Sequence, residues 1–319
     1  MKKAILMHCV STRLSRRAAA RSSPAQRGGD GGRKRDARIR RSSSAQGAGA
    51  VAAFPSPEVF VTNLYTLHAC AAGAVLPLAT AAAVGMPAHG TMAQGFSGLP
   101  VGTELCAPEG TALLKVTGRV WLGAAGQPHA QACPLLTALC DISAGPALLS
   151  ARKTGRTLAW VTLSDKGAAG LREDASGPAI EALAREALPL AHVQGFLLPD
   201  DAAALSTLLM ELALGQGYDC ICTTGGTGLS PRDVSPQATR RVLDYELPGF
   251  AQAMMQASLA KTPHAAISRA LAGVLGQSII INLPGSRKAV LENLAAVLPA
   301  LPHALDKLHG DPADCGALG

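Results

Sequence analysis

From Arg156 onward the chain repeats one pattern: a short apolar run, a turn of small and acidic residues, then apolar residues at helical spacing. "RTLAWVTLSD" predicts a strand ending at Asp165, and "SGPAIEALAREAL" a helix with Ser176 as its cap and Pro178 in the first turn. "HVQGFLLPDD" reads as a second strand. Over residues 201–216, Leu205, Leu208, Leu209 and Leu212 fall on one helical face. "YDCICTTGG" is a third strand, "SPQATRRVLDY" and "GFAQAMMQASLAK" are helices, "SIIINLPGS" is a late strand and "RKAVLENLAAVLPAL" a closing helix. Such alternation leaves few solutions, because parallel strands need crossovers and the crossover helices cover both sheet faces. The expected fold class is α/β, a three-layer α/β/α arrangement with a mostly parallel sheet. Ligands in such sheets sit beyond the carboxyl ends of the strands. Asp165, Asp200, "TTGGTG" (223–228) and "NLPGS" (282–286) all fall at those ends, so four distant segments should meet at one cleft.

The net charge of +7 divides unevenly along the 319 residues. Residues 1–50 carry 13 Lys+Arg against 2 Asp+Glu, and the remainder carries 16 against 20, so a basic tail precedes a mildly acidic body. Aromatics are only 3% of the chain, which gives an aliphatic core and no stacking platforms for single-stranded nucleic acid. No nucleic-acid partner is expected of the body. Eight cysteines form no CxxC pair and no regular framework, consistent with reduced thiols and a cytoplasmic location. His129, Cys133 and Cys140 offer three metal donors but no evident fourth. "MKKAILMHCV" does not make a signal peptide, since its short apolar stretch runs into Arg13, Arg16 and Arg17. Between Glu58 and Glu104 no charged residue occurs, yet Pro77, Pro87, His68 and His89 interrupt that stretch, and no membrane span is expected.

Residues 1–54 are Arg-, Gly- and Ser-rich with little to bury, so a disordered basic tail is expected, as from a misplaced start. Residues 55–150 read as a small β-rich accessory region: "VFVTNLYTLHA" and "ALLKVTGRVWL" are strand-like. Within it "LPVGTELCAPEGTALLKVTG" faintly resembles the β-barrel of MOSC domains, without the cysteine that family places after such a strand. Residues 151–310 form the α/β domain, and 311–319 a short tail.

The loop "TTGGTGLSPRDVSP" fits neither standard phosphate-loop pattern. Leu229-Ser230 stands where a P-loop needs Lys-Ser/Thr, and Pro231 where a dinucleotide fingerprint needs glycine. What remains is a tight turn with exposed amides and the hydroxyls of Thr223, Thr224 and Thr227. Such a turn suits an oxyanion cradle or a plain strand-to-helix connection, and glycine count alone does not separate them.

The longer stretch "TTGGTGLSPRDVSPQAT" closely resembles the signature of the MogA/MoaB family of molybdopterin adenylyltransferases. "SDKGAAGLREDASGP" (164–178), "LLPDD", "LPGF", "SLAKTPHAAISRA" and "NLPGS" follow that family's order and spacing over roughly residues 156–310. Lys166-Gly167 and Ser235 are mild departures. The resemblance implies a MogA-like fold, transfer of AMP from ATP to molybdopterin, Mg²⁺ as cofactor, a homotrimer, and a molybdenum insertase as downstream partner. It places the catalytic aspartates at Asp200 and Asp233, both also as Mg²⁺ ligands. It places the molybdopterin and phosphate contacts at Ser164, Asp165, Asp174, Thr223, Thr224, Gly225, Gly226, Thr227, Gly228, Asn282, Pro284, Gly285 and Ser286. Arg269, Lys261 and Lys288 are further candidate phosphate contacts. Blander assignments stand beside these: Asp200 or Asp201 as a helix cap, Asp233 as a turn residue, Asp174 as a cap or surface residue. The competing class is a non-catalytic molybdopterin-binding or regulatory module of the same fold.

Overall fold

The computed structural model describes residues 62–80, 90–92, 99–123 and 128–312. The expected basic tail and most of the C-terminal tail lie outside the described residues. Among the described residues seven strands precede the alternating segment: β1 (Thr62–Leu67), β2 (Val75–Thr80), β3 (Gly90–Met92), β4 (Glu104–Cys106), β5 (Ala112–Leu122), β6 (Gln131–Ala138) and β7 (Gly145–Arg152). They close into a barrel in the order β1-β3-β2-β6-β5-β4-β7, with β7 pairing back onto β1. Strands β2 and β3 are parallel, and the other neighbours run antiparallel.

On β5 the side-chain alternation buries Leu114, Val116 and Gly118. Val116 pairs with Leu136 but Gly118 with Leu135, so Thr117 is an extra residue. That bulge bends the strand, as closure requires. Tyr65, Leu78, Leu105, Leu114, Leu136 and Leu149 are fully buried and fill the inside. Their outward neighbours Leu64 and Leu148 face each other across β1 and β7 and stay exposed.

The second sheet contains β8 (Arg156–Leu163), β9 (Leu190–Leu198), β10 (Cys220–Thr224), β11 (Tyr245–Glu246), β12 (Ala272–Leu275) and β13 (Ser278–Leu283). Its order is β11-β12-β13-β10-β8-β9. Strands β13, β10, β8 and β9 are mutually parallel, while β12 joins β13 antiparallel through a hairpin. Helices α1 (Asp165–Ala168), α2 (Gly177–Ala187), α3 (Ala202–Met210), α4 (Ser235–Arg240), α5 (Pro248–Leu259), α6 (Arg287–Val297) and α7 (Leu301–Leu308) complete the segment, with a π-helical stretch over Glu211–Gln216 that continues α3 and a 3-10 turn over Pro263–Ile267. The expected three-layer α/β/α architecture is what the chain forms.

The pleat sorts side chains between the two layers. Ala159, Val161, Ile221 and Ile280 pack toward Leu205 and Leu209 of α3 and Ala238 of α4. Leu158, Cys220, Cys222, Ile279 and Ile281 pack toward α2, α5, α6 and α7. Residues 153–155 alone join barrel to sheet. The barrel seats against the amino ends of the parallel strands: the Val101 amide donates to Gln216 O at 3.5 Å, and Lys153 Nζ pairs with Asp219 at 2.8 Å. Asp219, buried before β10, also accepts from the Thr157 amide and hydroxyl at 2.6 and 2.7 Å. Burial works to raise its pKa, but the Lys153 ammonium and the Thr157 donors outweigh that and hold it low. The barrel core and the α3 side of the sheet form one continuous apolar cluster.

Candidate active site

Chain order and sheet order part company between β8 and β10, since β8 leads to β9 on one side and the chain returns to β10 on the other. Strand ends diverge at such a switch point and leave a crevice. The glycine loop leaves β10 there. Gly225 and Gly226 have φ of 96° and 64°, the left-handed region that disfavours side chains. A Cβ on Gly225 would lie 2.5 Å from Leu163 O, and one on Gly226 would lie 2.6 Å from Ser235 Oγ. Both glycines are therefore required by the approach of backbone on one side and Ser235 on the other. The loop's carbonyls are tied inward. Gly225 O accepts from Ser235 Oγ at 2.6 Å, Gly226 O from the Ser235 amide at 3.1 Å, and Gly228 O from Arg269 Nε at 2.8 Å.

Carboxylates cluster beside the loop. Asp201 caps α3 by accepting from the Ala204 amide at 2.8 Å, which leaves Asp200 free of that duty. The amide of Asp200 donates to Asp165 Oδ1 at 3.1 Å, and the amide of Asp165 donates to Asp200 Oδ2 at 3.4 Å. Arg232 forms an ion pair with Asp165. Burial raises the Asp200 pKa, as do the like charges of Asp165 and Asp233, while the Asp165 amide and Arg232 oppose the rise. Asp233 Oδ2 accepts from the Ser230 amide at 2.7 Å, and the Asp233 amide donates back to Ser230 O at 2.9 Å. Asp233 is thus the turn residue of the blander assignment, with Oδ1 left over. Among the described residues no group of three or more His, Cys, Asp or Glu side chains is placed to hold a metal ion.

On the other side of the loop lies a cavity of about 360 Å³ between β8, the loop after it, and the start of α6. Ser164, Asp174, Thr224, Gly225, Gly285 and Ser286 line it, so six of the thirteen residues expected to bind pterin and phosphate meet there, while Asp165, Thr223, Gly226, Thr227, Gly228, Asn282 and Pro284 do not line it. Gly285 approaches closely: a Cβ on it would stand 3.4 Å from Gly225 Cα. Asp174 lines the cavity while capping α2, its Oδ1 accepting from the Ser176 and Gly177 amides at 3.0 Å each. Ser176 holds the N-cap position as expected, but its hydroxyl makes no capping bond and donates to Gly285 O at 3.1 Å. Asn282 stands apart from the cavity. It is fully buried on β13, paired beside Thr223 of β10, and its side-chain amide donates to Thr223 Oγ1 and Thr239 Oγ1 at 2.8 and 2.9 Å. Thr223 is equally buried, Thr227 nearly so, and Thr224 Oγ1 donates to Pro284 O at 2.7 Å. These groups brace the loop from below.

The family model described as probable molybdopterin binding domain matches residues 159–303. Molybdopterin adenylyltransferase of Helicobacter pylori strain J99 is 38% identical over 154 residues, 47% of this chain and 86% of that protein. The chain belongs to the MogA/MoaB family. Gephyrin of Dictyostelium discoideum is 38% identical over 161 residues, which are 48% of this chain but 22% of gephyrin. The molybdenum cofactor synthesis protein cinnamon of Drosophila melanogaster is 37% identical over 155 residues, 49% of this chain and 26% of its own length. This chain therefore spans about a quarter of those two relatives. The solved structure of MoaB from Thermus thermophilus is 44% identical and covers 50% of this chain and 99% of its own, with a TM-score of 0.46.

Several residues of this MogA/MoaB site carry no signal in sequence. Arg172 and Arg287 reach the cavity wall, and Arg232 bridges two loops. Thr239 belongs to the buried brace through Asn282. The lysines fare differently: Lys288 is 84% exposed beside Glu292 and, like Lys261, does not line the cavity. Arg269 faces the loop's carbonyls. A carbonyl acceptor is invisible to residue-type reasoning, because every residue has one.

Proposed function

We propose that the chain is a molybdopterin adenylyltransferase, joining AMP from ATP to the terminal phosphate of molybdopterin with release of pyrophosphate. The observation that carries this reading is the pairing of a carbonyl-tied glycine loop with Asp200 and Asp233 at the switch point. The loop amides supply fixed dipoles for phosphate oxygens, where charge moves as the α-phosphorus exchanges one P–O bond for another. The cavity beside the loop takes the pterin, between Asp174, Ser164 and the amino end of α6. Arg172 and Arg287 at its wall attract the anionic end of that substrate.

Asp200 and Asp233 fit a Mg²⁺ ion in type and charge, since both offer hard oxygen and a cation offsets the burial and the like charges that together raise the Asp200 pKa. When bound there, Mg²⁺ supplies charge neutralisation between the two phosphate groups. The chain's own residues hold the rest: Arg232 keeps Asp165 against Asp200, and Ser230 fixes the Asp233 turn.

Named relatives support the reading at family level, and the homotrimer, the cytoplasmic location and hand-over to a molybdenum insertase are proposed with it. Incubating the full-length protein with molybdopterin, Mg²⁺ and ATP should release pyrophosphate in step with adenylylated molybdopterin. Tight molybdopterin binding without pyrophosphate would identify the non-catalytic module instead. Light scattering that finds a monomer at assay concentration would reject the trimer.

A further inference from the structure

Building on that reading of the loop, we infer that Ser235 and Arg269 are positioning residues, a two-point lock that aims the loop's amides. A trans peptide is planar, so its C=O and N–H point in opposite directions. Tying a carbonyl therefore sets the direction of the next residue's amide. Four successive peptides of the loop are tied in this way. Ser235 holds the carbonyls of Gly225, through its hydroxyl at 2.6 Å, and of Gly226, through its amide at 3.1 Å. Arg269 holds Thr227 O through its amide at 3.0 Å and Gly228 O through Nε at 2.8 Å. The amides that follow, on Gly226, Thr227, Gly228 and Leu229, are turned away from the lock. Among the described residues none of them meets a protein acceptor.

Arg269 does one thing more. Its Nη2 donates to Asp233 O at 2.7 Å, so one guanidinium spans both the cradle and the turn that carries the second aspartate. The spacing of the two acceptors needs donors on a rigid planar fork. Lysine carries a point charge on a flexible stem and cannot hold both carbonyls in that geometry. With Nε and Nη2 committed to backbone, Arg269 acts through the loop rather than as a phosphate contact.

Full-length Arg269→Lys, Arg269→Ala, Ser235→Ala and Ser235→Thr test the lock. Readouts are melting temperature, calorimetric binding of inorganic pyrophosphate, turnover, and the NMR amide shifts of residues 226–229. Arg269→Lys should melt close to wild type yet bind pyrophosphate about tenfold more weakly, as expected for loss of charge-directed hydrogen-bond geometry. Its turnover should fall about 10²-fold. Ser235→Thr keeps the hydroxyl and should retain binding, whereas Ser235→Ala should lose part of it. Guanidinium ion added to Arg269→Ala should restore part of the lost affinity. Loop amide shifts and pyrophosphate affinity at wild-type values in Arg269→Lys would overturn the lock. So would a loss in Arg269→Ala that tracks melting temperature and resists guanidinium. Failure of the cradle reading looks different: the wild-type protein itself would not take up pyrophosphate, while the loop shifts of Arg269→Lys still moved.

Discussion

In the barrel, burial is almost wholly apolar. Tyr65, Leu78, Leu105, Leu114, Leu136 and Leu149 occupy its centre, and Thr103 is its buried polar residue among those described. The sheet half buries Thr162, Thr223, Thr224, Ser235, Thr239 and Asn282 around one loop. Most of those polar atoms have partners at 2.6–2.9 Å. A polar group removed from water is costly unless bonded, so a cluster of satisfied ones marks where backbone direction is fixed. Barrel interiors of this kind need only the right volume; the loop needs the right orientation. The contrast teaches where to expect stability without activity, and activity without stability.

The largest effect should fall on the barrel. Leu136→Ala removes a fully buried side chain and should cost about 2–5 kcal/mol in denaturant unfolding. Turnover per folded molecule should hold; a matching fall in turnover would break the separation of the two halves. Next come Asp200→Asn and Asp233→Asn, each expected to lower adenylyl transfer about 10²-fold with little change in melting. Near-wild-type turnover in both would reduce the site to a pterin cradle.

The seam between the halves should respond to acid. His192 of β9 lies at that seam, its Cβ 3.5 Å from where a Cβ on Gly102 would stand, and burial, helped by Lys115 and Arg185, lowers its pKa to about 4 in the folded chain. Its unfolded value is about 6.5, so the unfolded state takes the proton first. Stability is then full above about pH 6.5 and declines as pH falls toward 4, and His192→Gln should flatten that limb in urea titrations. The depressed Asp219 pKa adds its own loss only below the ordinary carboxylate range, so the two contributions separate along the pH axis. Smallest is Asp201→Ala, which should cost about 1 kcal/mol as a lost helix cap and leave transfer intact. A transfer loss there would mean that Asp200 depends on its neighbour.

The same contrast governs what could be read from sequence. Strands β8, β9, β10 and β13 and their helices announce themselves because period and crossover length are local signals. Sequence missed β12, whose "AGVL" is too short to show alternation and is defined by its hairpin with β13. It also ran the closing helix on to Leu301, past the end of α6 at Val297, and missed α7 beyond it. In the barrel only β1 and β5 were legible. The remaining strands are short or Ala-rich, and closure of β7 onto β1 is a long-range pairing with no local mark. At the site, residue type found Asp174, Ser164 and the glycines. It assigned Asn282 a place beside the cleft, where the structure puts it beneath the loop, because a buried amide and an exposed one look alike in sequence.

The barrel seats at the amino ends of strands whose carboxyl ends carry the site. An eight-residue strand separates them by on the order of 25 Å. Mobile ions screen charge over about 8 Å at physiological salt. The two poles are therefore electrically isolated. Lysines, acidic tags or phosphoryl groups added to the barrel's outer face leave the field at the glycine loop unchanged, and the barrel's surface charge is free to vary independently of the site's affinity for anions.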